Sequence, residues 1–228
     1  RFYTNIKHEL RTPLTLILGP LEDMQKDTSL PTKQAQKLSV IHQSALRLLN
    51  LINQILEFRK TETQNKKLCV CKGNLTPLIH EIGFKYKELN QKPKIDFRIQ
   101  TEKEEMLLFF DKEIITIILD NLISNAIKYT EQGRVTLSLC QTTRNEVSYT
   151  EIKVSDTGYG ISAEALPHIF DRYYQESGKH QASGTGIGLA LVRNLVELHE
   201  GDIRVESTPN EGSTFYISLL TDNIYPNA

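Results

Sequence analysis

Over residues 1–62 the apolar positions keep a helical rhythm. Ile6, Leu10, Leu14, Ile17, Leu21 and Met24 follow one another at steps of four and three. After the break Asp27-Thr28-Ser29-Leu30-Pro31-Thr32, Leu38, Ile41, Ala45, Leu48, Ile52 and Ile55 do the same. Such spacing lays an apolar stripe along one side of each of two helices. The short turn between them predicts an antiparallel hairpin. Leu16, Leu18, Leu49, Leu51 and Leu56 add apolar surface that a lone hairpin leaves exposed. Two copies pairing as a four-helix bundle would bury it, so segment 1–62 is expected to form a homodimer.

A polar run, Arg59 to Asn65, closes this segment, and from residue 66 to 228 strand and helix signals alternate. Strands are predicted over Lys67–Lys72, Ile95–Gln100 and Glu105–Phe110, and a helix over Leu75–Leu89 with Asn74 as its N-cap and Pro77 in its first turn. A helix over Lys112–Tyr129 leads to a hairpin of Arg134–Gln141 with Val147–Val154. Ala163–Tyr174 reads as helical, Gln175–Gly186 as a polar, glycine-containing loop and Ile187–His199 as a helix. Ile203–Ser207 and Thr214–Leu220 close the chain as strands. Adjacent strand pairs with helices between them predict an α/β sandwich rather than a parallel Rossmann sheet. The expected architecture is thus multidomain, a helical hairpin at 1–62 followed by a sandwich at 66–228.

Composition narrows the function classes. With 27 Lys+Arg against 28 Asp+Glu, the net charge of −1 lacks the basic surface that phosphate-backbone binding requires, so no direct nucleic-acid partner is expected. No apolar run approaches the roughly 18–20 residues that span a bilayer. Cys69, Cys71 and Cys140 are too few for a disulfide framework, which suits a reducing, cytoplasmic setting. Alternating around Val70, Cys69 and Cys71 read as small hydrophobes in a sheet.

Four polar clusters in the second segment carry candidate chemistry. On the predicted helix, Asn121, Asn125 and Lys128 share one face, while Leu122, Ile123, Ala126 and Ile127 point to the core. A carboxamide oxygen suits Mg²⁺, and a lysine supplies point charge to phosphate. Asp156-Thr157-Gly158-Tyr159-Gly160-Ile161 follows a strand. Its glycines permit close backbone approach, and its carboxylate can accept from an exocyclic amine such as that of adenine. Gly184-Thr185-Gly186-Ile187-Gly188-Leu189 opens a helix whose free amides can face an anion. Its spacing is neither the Rossmann nor the Walker fingerprint. Gly212-Ser213-Thr214-Phe215 reads as a turn into the last strand. In the first segment, His8 lies off the apolar stripe between Lys7 and Glu9, and Pro13 removes a helical hydrogen bond at the Glu9 carbonyl, which predicts a bend.

In this order the motifs resemble the catalytic core of a two-component sensor histidine kinase over nearly the whole chain. His8-Glu9-Leu10-Arg11-Thr12-Pro13-Leu14 resembles the phosphoacceptor box, 121–129 the N box and 156–161 the first glycine box. Ile169-Phe170-Asp171-Arg172-Tyr173-Tyr174 resembles the F box and 184–189 the second glycine box. The run Thr15–Leu21 is similar to hybrid sensors that carry a receiver domain further along.

The resemblance implies a Bergerat-type ATP site and autophosphorylation on His8, with Glu9 as general base. The phosphoryl group would then pass to an aspartate of a response-regulator receiver. Asp156 would hold the adenine amino group beside Gly158 and Gly160. Asn125 would coordinate Mg²⁺, assisted by Asn121, while Lys128 and Tyr129 would meet phosphate or ribose. Gly184, Thr185, Gly186 and Gly188 would flank the phosphates, residues 175–186 would form a lid, and Arg172 would contact phosphate. Thr12, one turn after His8, would orient a water in a phosphatase reaction toward the regulator. The parent protein would be anchored in a bacterial inner membrane through segments upstream of this cytoplasmic portion. Two other readings stand beside this one: a hydrolytic ATPase of the same superfamily, and a non-catalytic scaffold that binds nucleotide. Related hydrolytic ATPases carry a glutamate where Asn121 stands, and an amide cannot take a proton at neutral pH.

Overall fold

The computed structural model describes residues 2–62, 67–175 and 185–222, with side chains from Thr12 to Thr61 in the first stretch. The chain divides into two compact units, 1–63 and 64–228.

The first unit is a helical hairpin of α1 (Phe2–Gln25) and α2 (Thr32–Glu62). α1 runs unbroken through Pro13 and Pro20. Its turn is built locally, with the Ser29 amide and hydroxyl both donating to Asp27 Oδ1 at 2.9 and 2.6 Å. These bonds hold the Asp27 carboxyl below its usual range. Leu18, Leu21 and Ala45 form the hairpin's small core, with Leu38 and Leu49 packed against it. Leu18 was expected among the exposed residues. It is buried because both i and i+3 positions of α1, Leu18 and Leu21, face α2. Ile41, Leu48 and Ile55, one heptad apart, remain exposed, as do Ile17 and Met24.

The second unit is a two-layer sandwich. β1 (Cys71–Asn74) and β3 (Leu107–Phe110) make a small antiparallel pair. The main sheet holds β2 (Ile95–Thr101), β4 (Gly133–Arg144), β5 (Val147–Asp156), β6 (Asp202–Thr208) and β7 (Gly212–Leu220) in the order β2-β4-β5-β7-β6. β2 pairs with β4 in parallel, and every other pair is antiparallel. α3 (Leu75–Leu89), α4 (Lys112–Lys128) and α5 (Gly188–Leu198) lie against the sheet, with α4 touching both of its neighbours. One strand face, carrying Leu137, Leu139, Ile152, Val154 and Ile217, is wholly buried. The alternate positions are polar: Arg204 stacks 3.5 Å from the Tyr216 ring centre, and buried Glu151 pairs with Arg144 and Lys153. That alternation is what lets this mixed, mostly antiparallel sheet carry helices on one side only.

Local chemistry sets the element ends. Asn74 Oδ1 accepts from the Thr76 amide and caps α3, as its position predicted. Asp111 caps α4 by accepting from the Ile114 amide, and also accepts from the Cys69 amide. Three expectations need correction. Residues 163–174 are not an α-helix but turns around a 3₁₀ segment, Leu166–His168. Pro167 cannot donate, and after a single four-residue bond from Leu166 to Ser162 O the hydrogen bonds span three residues, from His168 to Ala165 and Asp171 to His168. The strand expected at 67–72 begins at Cys71. Cys69 and Cys71 are exposed rather than packed, because β1 pairs on one edge with β3 in a separate small sheet, and only Val70 turns inward.

Candidate functional site

Three chain segments converge where α4 ends. Tyr129 closes the helix with its amide donating to Asn125 O. Its own carbonyl then accepts from the Tyr159 amide at 3.2 Å, which ties the loop 156–161 to the helix end. On the other side, Tyr159 O accepts from the Asn210 amide, and the Ile161 amide donates to Ser207 Oγ. The β6–β7 turn is thereby fixed to the same loop.

The glycines are required by close approach. A Cβ on Gly158 would lie 2.3 Å from Tyr129 O and 2.9 Å from Asp156 Oδ1. At Gly160, where φ is +69°, it would lie 2.1 Å from Thr208 O. Neither position can accept a side chain without the loop leaving its place.

Asp156 ends β5 inside this convergence. Burial pushes its carboxyl above the usual range, and backbone donation from Gly158 and Ser213 only partly offsets that. The carboxylate accepts from the Gly158 amide at 2.9 Å. Ser213 is the residue that sequence reasoning passed over. The Gly212-Ser213-Thr214-Phe215 run looked like an ordinary turn, yet β5–β7 pairing places Ser213 directly opposite Asp156. The signal was Gly212, whose φ of +120° and approach to Asp156 O no other residue could match. Tyr159 is half-buried, and hydrogen bonding to Glu131 raises its phenol above the usual range.

Along α4, Asn121 is buried and its Nδ2 donates to Ile117 O at 2.8 Å. Asn125, one turn on, is half-buried on the same face. The Lys128 ammonium sits 4.8 Å from the Tyr129 ring centre. A carboxamide, a cation and an aromatic face therefore follow one another toward the loop. The segment around the second glycine motif is pinned differently. Gly186 and Tyr173 both adopt left-handed backbone, at φ +68° and +61°, and the Tyr173 amide donates to Gly186 O at 2.8 Å. Thr185 Oγ1 accepts from the Ile187 amide just before Gly188 opens α5. Arg172, beside Tyr173, is exposed.

Gly184 and residues 176–183 of the expected lid lie outside the described residues. In the hairpin, His8 and Glu9 fall within α1, their side chains outside the described residues, and Thr12 is exposed.

Comparison with known proteins fits this arrangement. Residues 110–223 match the family described as histidine kinase-, DNA gyrase B-, and HSP90-like ATPase, and residues 1–64 match the His Kinase A (phospho-acceptor) domain. This chain belongs to the histidine kinases. Histidine kinase P4 of Formosa agariphila is 37% identical over 225 residues, covering 96% of this chain and 16% of that protein. The aerobic respiration control sensor protein ArcB of Escherichia coli is 36% identical over 227 residues, covering 98% of this chain and 29% of ArcB. This histidine kinase core thus spans less than a third of the length of these curated relatives. Among solved structures, full-length ShkA in complex with AMPPNP shares the fold, with a TM-score of 0.76 over 95% of this chain and 45% of that one, at 24% identity. The catalytic domain of histidine kinase ThkA aligns over 68% of this chain and 97% of its own, with a TM-score of 0.58 and 27% identity. Among the described residues of this kinase core, no helix is long and apolar enough to cross a membrane.

Proposed function

We propose that the second unit binds ATP with Mg²⁺ and that its γ-phosphoryl group is transferred to His8. From there it would pass to an aspartate of a response-regulator receiver domain. The observation that carries the reading is Asp156, a half-buried carboxylate, its pKa raised by desolvation, next to a glycine pair with no room for side chains. Such a group accepts from an amine and has little other use for its cost of burial. The donor set fits the nucleotide. Asp156 would take the adenine amino group, with Gly158 and Gly160 keeping the base close. Lys128 and Tyr129 would face ribose and phosphate, as would Gly184, Thr185, Gly186, Gly188 and Arg172. Asn125, supported by Asn121, would offer carboxamide oxygen to Mg²⁺.

Bound ATP and Mg²⁺ supply an electrophilic phosphoryl group with its charge neutralised. The chain supplies the nucleophile. Neutral His8 presents one ring lone pair, and Glu9 accepts the proton from the other ring nitrogen, a contribution of roughly 10²–10⁴-fold. Asn121 cannot act as a base toward water, which favours transfer over hydrolysis. Thr12, exposed one turn beyond His8, would orient the water of a phosphatase reaction toward the regulator. The exposed heptad positions Ile41, Leu48 and Ile55 support a homodimer through the hairpin. The parent protein would hold this portion in the cytoplasm, anchored to the inner membrane by other segments.

Incubation with γ-labelled ATP tests the scheme. Acid-labile, base-stable label that is lost in His8→Gln and in Asp156→Asn is expected. Free phosphate without protein label would instead mean a hydrolytic ATPase, and neither product would mean a nucleotide-binding scaffold.

A further inference from the structure

The end of α4 is held by a residue that belongs to no recognised motif. The Lys92 ammonium donates to Ile127 O at 2.7 Å, Thr130 O at 2.9 Å and Lys128 O at 3.3 Å. An ammonium has three N–H donors, and here two meet carbonyls of the last helical turn, Ile127 O and Lys128 O, and the third meets Thr130 O just past the C-cap Tyr129. The helical carbonyls lack intrahelical partners and form the negative end of the helix dipole. Lys92 is itself locked in place before it reaches them. Asn90 Oδ1 accepts from the Lys92 amide at 3.0 Å, Asn90 Nδ2 donates to Lys92 O at 3.2 Å, and the Ile95 amide donates to the same carbonyl at 3.0 Å.

The turn that Lys92 holds is the one against which the glycine loop rests. Tyr129 O, between two carbonyls bound by Lys92, accepts from the Tyr159 amide. Thr130 is wholly buried, and its Oγ1 lies 2.8 Å from where a Gly158 Cβ would stand. A shift of this turn therefore moves Gly158, and with it the amide that donates to Asp156.

We propose that Lys92 is a positioning residue for the nucleotide site. By capping the last turn of α4 it sets the height of the Gly158–Gly160 loop relative to Asp156, and with it the placement of Tyr129 and Lys128. This role rests on the nucleotide reading of the preceding section, and acts through backbone rather than through contact with ligand.

The test uses the full chain and magnesium ADP, with affinity read by calorimetry. Lys92→Met, which keeps the stem and removes the donors, is expected to weaken ADP binding about tenfold, the effect of losing one good interaction's worth of positioning. In ligand-free protein it should also speed amide exchange at Gly158 and Tyr159. Lys92→Arg, which can still donate to several carbonyls, should restore affinity to within about threefold. Asn74→Ala removes a cap at the far end of the unit, on α3, and serves as the control for lost stability alone. It should lower the melting temperature and leave ADP affinity unchanged. Should Lys92→Met fail to fold, Lys92→Gln, with two donors in place of three, is judged by the same criteria. The role is overturned if the Lys92 variant binds ADP as the wild type does, or if Asn74→Ala weakens binding as much. A wild-type chain that binds no ADP overturns the nucleotide reading along with it.

Discussion

Leu16 and Val40 of the helical hairpin stand 70% and 64% exposed, whereas Ile79, Ile114, Leu119, Ile152 and Val196 of the sheet unit are 0% exposed. Each of those buried side chains contributes about 1.5–3 kcal/mol by leaving water. The sheet unit finishes its core within one chain because three helices cover one sheet face. Two helices cannot enclose each other, so the hairpin keeps an apolar seam on its outside. One region is complete and holds chemistry at the ends of its elements. The other leaves an apolar seam open, the surface through which the proposed homodimer would form.

The sharpest way to break the complete region is to crowd its glycine loop. Gly158→Ala sets a methyl 2.3 Å from Tyr129 O, a backbone atom that cannot swing aside. A loss of about 3 kcal/mol is expected, at the upper end of overpacking costs, read as a lower urea midpoint for the second unit with the hairpin unaffected. Breaking the incomplete region should take a change that leaves each chain folded. Leu48→Asp puts a charge in the exposed heptad seam and should weaken self-association at least about 100-fold, or ~2.7 kcal/mol. Sedimentation would then report a monomer whose second unit melts as before, and an unchanged mass would rule out that seam as the contact.

A subtler effect separates the units by pH. His199 is buried at the end of α5, where its Nε2 accepts from the Asp111 amide at 3.0 Å. Burial holds the imidazole below its usual range, only partly countered by the hydrogen bond the ring donates to its own backbone carbonyl and by Asp111 and Glu200. As pH falls below about 6.5, the unfolded chain takes up the proton first. Stability from this group is therefore complete above that value and declines through the lower folded-state value. His199→Gln should cost about 1 kcal/mol at neutral pH and flatten the acid-side slope of the second unit. Urea titrations from pH 7.5 to 5 would show it, and a slope that survives the substitution would assign it elsewhere.

Much of this was legible because period and caps are local. The heptads of α1 and α2, the Asn74 cap and the succession of strands and helices along the chain all follow from neighbours within a few residues. The polar face of Asn121, Asn125 and Lys128 was equally readable from helical spacing. What escaped depended on distant partners. Leu18 turned inward because α2 offers Ala45 opposite it, and Cys71 stayed exposed at the start of β1 in the separate two-stranded sheet. Ala163–Tyr174 has helical composition, but Pro167 and the left-handed Tyr173 hold it to turns. Ser213 and Lys92 enter the site only through strand pairing and a loop-to-helix contact, neither of which leaves a mark in local spacing.

Asp156 and Ser213 sit across the β5–β7 pair, on strands that leave the ribosome far apart in time. The β4–β5 hairpin closes on itself early, since its contacts are short in sequence, but β7 follows only after α5 and β6. A nascent chain would hold its helices and most of its sheet before the carboxylate gains the neighbouring amide. The Asp156–Ser213 pairing would thus arrive with β7, so a chain ending before β7 should lose that pairing before it loses the helices and the rest of the sheet.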